Sequence, residues 1–122
     1  MRLFVKCWVL LLSLDLSMRL LGYGKWCAVI RKTRVARSSS ACRTEDVLSA
    51  LDLACVFYFK RVFCLQRSAA AVLLLRRHGT AASLVVGAQF FPFAAHAWVE
   101  ASGTILNEQK YVVERYHVLD RY

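Results

Sequence analysis

The chain has 122 residues, is 58% apolar and carries a formal charge of +9. That is enough for one domain around one core; it excludes a two-domain chain and a polar, disordered one. The five cysteines are irregularly spaced with no Cys-x-x-Cys pair, which argues against a zinc site and against a secreted disulfide framework, so a reducing cytoplasm is the simplest compartment. Charge is unevenly placed. Residues 1–44 hold nine Lys/Arg against Asp15 alone, whereas residues 45–122 hold eight against seven acids. Such a basic segment attracts phosphates, acidic lipid or an acidic protein surface; without an aromatic-interleaved binding module, no nucleic acid is expected as a partner.

In chain order, residues 3–22 read as an apolar helix closed by Gly22-Tyr23-Gly24. Its start resembles a signal peptide, but no small-x-small cleavage site follows, and Asp15 and Arg19 interrupt the apolar run. A helix docked on the domain is expected, with peripheral membrane contact the lesser alternative. Residues 25–30 either prolong that helix or begin an irregular stretch. Arg31–Arg43 is basic and serine-rich without periodicity, and reads as a loop. Thr44 followed by Glu45 and Asp46 predicts an N-cap and a helix over about 45–59. A further helix opens at Cys64, is apolar on nearly every side from Ala69 to Leu75, and is closed by Arg76, Arg77 and Gly79. Strands are expected at 83–89, 94–100 and 104–107, with a turn at Ser102-Gly103, and a last strand at 111–118. Helices followed by an antiparallel meander make this an α+β domain.

Two residues stand in settings that nucleophilic chemistry needs. Cys64 opens a buried helix, where the positive end of the macrodipole favours an anion, and the free N–H groups of the first turn face the place where an oxyanion would form. His96 lies on a strand whose alternation puts His96, Trp98 and Glu100 on one face. If that strand crosses the start of the Cys64 helix, imidazole can serve as base to the thiol. The following hairpin brings Asn107 and Glu108 near His96, where either can hold the far ring nitrogen. Gln66 is a further possible oxyanion donor. The plainer alternatives are a buried structural cysteine, solvated acids at Glu100 and Glu108, Trp98 as core, and Arg67 and Ser68 paired locally. Cys7, Cys27, Cys42 and Cys55 read as structural or incidental.

The motifs Cys64-Leu65-x-Arg67-Ser68, Leu73-Leu74-Leu75-Arg76-Arg77-x-Gly79, Pro92-Phe93-x-Ala95-His96-Ala97-Trp98-Val99-Glu100 and Gly103-x-x-Leu106-Asn107-Glu108 together resemble the leader-peptidase (B-protein) family of lasso-peptide biosynthesis, within the transglutaminase-like, papain-related superfamily. The resemblance covers about 45 residues. It implies Cys64 as nucleophile, His96 as base, and Glu108 as the acidic third member in place of the family's usual aspartate. It also implies hydrolysis of one bond between leader and core of a ribosomally made precursor peptide, with no cofactor and no metal. The expected partners are a separate leader-recognition protein, since the chain is short for both functions, and an ATP-dependent macrolactam cyclase acting on the product. The basic residues Arg31, Lys32, Arg34 and Arg37 are the expected docking surface for that partner or for leader acids. An amide-forming acyl transferase of the transglutaminase or amidase type, and a non-catalytic basic binding module, are the alternatives.

Overall fold

The computed structural model describes residues 2–36 and 43–122. The leucine-rich start forms α1 (Arg2–Leu21), and Gly22, at φ 77°, supplies the left-handed residue that lets the chain turn directly into α2 (Tyr23–Lys32). The apolar stretch 25–30 is thus a second helix, which buries Trp26, Cys27 and Ile30. Of the expected loop, Arg31 and Lys32 belong to α2; Arg37 and Cys42 lie outside the described residues.

The next helix, α3 (Thr44–Val56), includes Thr44 in its first turn, with Arg43 as the extended N-cap residue and no side-chain cap. It stops before residue 59 because Tyr58 leaves the helical path to pack edge-on against Trp8, with ring centroids 5.4 Å apart. Residues 57–63 then run to α4 (Cys64–Arg77), as the sequence predicts. Gly79, at φ 88°, closes α4 through the bonds Thr80 N–H to Leu75 O (2.9 Å) and Gly79 N–H to Arg76 O (3.2 Å), a Schellman motif.

The strands are β1 (Ala82–Phe90), β2 (Phe93–Ala101), β3 (Thr104–Ile105) and β4 (His117–Arg121), in one antiparallel sheet of order β3-β2-β1-β4. Ser102 and Gly103 both have positive φ (52° and 76°), the requirement of a two-residue type I′ hairpin. The expected strand at 111–118 is a four-residue helix, α5 (Lys110–Val113), followed by β4. The reason is topological: β4 pairs with the far side of β1, so the chain must cross the end of the sheet, and three consecutive apolar residues from Tyr111 make no strand alternation.

One sheet face carries Ala82, Leu84, Ala97, Val99 and Ala101 into the core, where α4 packs on it and buries Ala69, Ala70, Ala71, Val72, Leu74 and Leu75. Helices α1 and α3 cover the outer sides of α4. The architecture is α+β, with the Cys64 helix central.

Candidate active site

Helix α4 runs alongside β2 in the same direction. Arg76 Nε donates to Ala82 O at 2.9 Å, and Ala82 pairs with Ala101 at the end of β2; Ser68 Oγ donates to Ala97 O at 3.1 Å. Cys64 lies one turn before Ser68, about 6 Å back along the helix axis. On a strand that is a step of roughly two residues, level with Ala95 and His96. Cys64 is half-buried, and no side chain caps the helix it opens, so the first-turn N–H groups have no intrahelical acceptor.

His96 sits on the opposite sheet face with Trp98 and Glu100, as strand alternation predicts. Its ring lies 5.4 Å from that of Tyr116 and 6.2 Å from that of Trp98. The position facing His96 across the hairpin is Gly87. A Cβ there would come within 2.7 Å of Trp98 Cη2 and 3.0 Å of Tyr116 Cβ, so only glycine lets these two aromatics close beneath the imidazole. Trp98 is fully buried, and its Nε1–H donates to Glu100 Oε1 at 3.1 Å. Glu100 is therefore no solvated acid; Arg121 holds its other oxygen.

Beyond Thr104–Ile105 the third strand does not continue, because Asn107 Oδ1 accepts the Val99 N–H at 2.8 Å that backbone pairing would have used. Asn107 Nδ2 donates to Ser68 Oγ at 3.1 Å. Ser68 is 1% exposed and therefore joins three segments: the Cys64 helix, the residue after His96, and the residue before Glu108. The sequence marks Ser68 only as a local partner and carries no signal for Tyr116. Asn107, one of two residues expected to hold the far ring nitrogen, is occupied in this tether.

Glu108 makes that contact instead: its Oε2 lies 2.7 Å from His96 Nε2, with both side chains largely shielded. Burial opposes the charged form of Glu108, but the Gln109 N–H, the hydrogen bond and charge of His96, and the Arg67 guanidinium outweigh it and hold the carboxyl below its usual range. Arg67 pairs with Asp52 of α3 rather than within its own turn, at 2.8 Å. Between them opens a cleft of about 270 Å³ lined by Asp52, Arg67, Leu106, Asn107 and Glu108 among others.

Not every expected site residue converges. Gln66 Nε2 donates to Leu11 O at 2.8 Å, which removes it as an oxyanion donor and makes it a tie between α4 and α1. Arg31 is held by Asp120 at 2.8 Å, with its guanidinium over the Tyr122 ring, so it is engaged within the domain. Cys64 belongs to the helix on one sheet face and the imidazole to the other. Among the described residues no hydrogen bond joins them.

A central helix opened by a cysteine thus lies on an antiparallel sheet whose β2 carries a histidine held by an acid. The family model for the transglutaminase-like superfamily matches residues 9–121, and the chain belongs to that family. No curated protein and no solved structure gives a significant match. The superfamily includes cysteine peptidases and acyl transferases.

Proposed function

We propose that the protein is a cysteine peptidase that removes the leader from a lasso-peptide precursor. The observation that carries this reading is the 2.7 Å contact between His96 Nε2 and Glu108 Oε2, at the same level as the first turn of the Cys64 helix. A carboxylate can only accept, so it holds the proton on Nε2 and leaves the Nδ1 lone pair free for a thiol. This chemistry requires the Cys64 sulfur to reach Nδ1 past the edge of β2. The thiol proton passes to Nδ1 as sulfur attacks the scissile carbonyl, and the oxyanion is met by the first-turn N–H groups of α4. The imidazolium protonates the leaving amine, and water hydrolyses the thioester to free enzyme and leader. Glu108 and Trp98 act by positioning His96 and its strand.

A separate leader-recognition protein delivers the precursor, a cyclase consumes the freed core amine, and a reducing cytoplasm keeps the thiol available. The test is mass analysis of the precursor after incubation with the protein, with and without the leader-binding protein. Cleavage at one bond, abolished by Cys64→Ala, is expected. A product joined to an added amine would instead mean acyl transfer. Full activity in Cys64→Ala would leave only a binding module.

A further inference from the structure

We propose that the outer face of α1 docks on the surface of an anionic lipid bilayer. The inference is independent of the peptidase chemistry and begins with helix periodicity. Val5, Val9, Leu12, Leu16 and Leu20 recur at i, i+4, i+7, i+11 and i+15, which places them in one stripe roughly 80° wide. The stripe lies opposite Cys7, Leu11 and Leu14, the residues by which α1 is buried against the domain. Four of its five members are half exposed or more: Val5 50%, Val9 52%, Leu16 51% and Leu20 84%. So α1 has two apolar faces, and the domain covers one of them. An all-round apolar helix is ordinarily buried.

The borders of the stripe say what covers the other face. Arg19 flanks one side, and Arg2 and Lys6 flank the other. Asp15 is the sole acid along α1 and α2; its side chain is only 12% exposed and is held by Lys60 at 2.5 Å. The exposed charge that α1 itself sets beside the stripe is therefore positive. Near the start of α1 the apolar surface widens onto Val56 and Phe57, both well exposed. Phe4, Val5, Trp8 and Phe57 there line an almost wholly apolar hollow of about 340 Å³.

Aliphatic side chains along a convex helix, edged by Lys and Arg, suit acyl chains beneath anionic headgroups. Among the described residues no helix is long and apolar enough to cross a membrane, so α1 lies in the interface plane, with its stripe reaching the acyl boundary and its cations at headgroup depth.

Flotation of the full chain with vesicles rich in phosphatidylglycerol, against vesicles of phosphatidylcholine alone, tests this directly. The wild-type protein should float with the anionic vesicles at low salt, release as salt rises, and bind phosphatidylcholine weakly. The double variant Val9→Glu/Leu16→Glu and the double variant Lys6→Glu/Arg19→Glu should each bind roughly tenfold more weakly or worse. Circular dichroism checks their folding, and the charge variant carries the test alone if the apolar one is unstable. Failure of the wild type to float at low salt, or undiminished binding by the variants, overturns the proposal. A wild-type dimer that Val9→Glu/Leu16→Glu dissociates would overturn it too, because a second copy would then cover the stripe.

Discussion

The Glu108 carboxylate decides which nitrogen of His96 carries a proton, and through it what the ring can do. In Glu108→Gln the amide can donate to Nε2 and force the proton onto Nδ1, the wrong tautomer for a base. By analogy with the loss when the triad aspartate of chymotrypsin-like proteases becomes an amide, cleavage should fall by up to about 10⁴-fold, read as the initial rate of precursor processing. The same substitution has a signature in stability. Because the folded-state carboxyl lies below its ordinary value of 4.5, its stabilising contribution is complete above that pH and is lost as pH falls through the lower folded value. Unfolding free energy measured by denaturant titration should therefore drop less steeply below about pH 4.5 in Glu108→Gln than in wild type.

Between the elements, Ser68 ties α4 to β2 and to the turn that carries Glu108. Ser68→Ala leaves Asn107 Nδ2 and Ala97 O without their shared partner in a buried setting. The expected cost is about 1–3 kcal/mol, measured by denaturant unfolding. Cleavage should fall further than the lost stability explains, since helix, strand and turn lose their common register. Here the legibility of the sequence divides. The residues at the site could be named because each chemistry restricts residue type: thiol, imidazole, carboxylate. Helix α4 and the hairpin β2–β3 follow from local signals, namely Gly79 after Arg76-Arg77, and Ser102-Gly103 after an alternating strand. The boundaries that differ, at Tyr58 and Tyr111, are set by non-local partners: Trp8 in the first case and the far side of β1 in the second. No window of neighbouring residues contains that information.

At the scale of the whole molecule, Arg76 gathers the end of α2, the start of β1 and Tyr122. Although 6% exposed, it donates to Ala82 O, to Tyr122 O at 2.9 Å, to Ile30 O at 2.5 Å and to Thr33 O at 3.3 Å. The sequence suggests only a cation complementing the end of a helix. Arg76→Met should destabilise the protein by at least about 3 kcal/mol, because several buried carbonyls lose their donor at once, and thermal unfolding would show it as a lowered midpoint. Unchanged unfolding would mean that water replaces the guanidinium.

The amino-acid sequence by itself determined most element types, the central apolar helix and the chemical identity of its opening residue, because periodicity, turn residues and side-chain chemistry act over a few neighbours. Tertiary structure alone decided that Glu108 rather than Asn107 holds His96, that Gln66 and Arg31 are engaged elsewhere, and that Ser68 joins the three segments of the site. Each of these is a competition between hydrogen-bond partners distant along the chain, which only packing brings within reach.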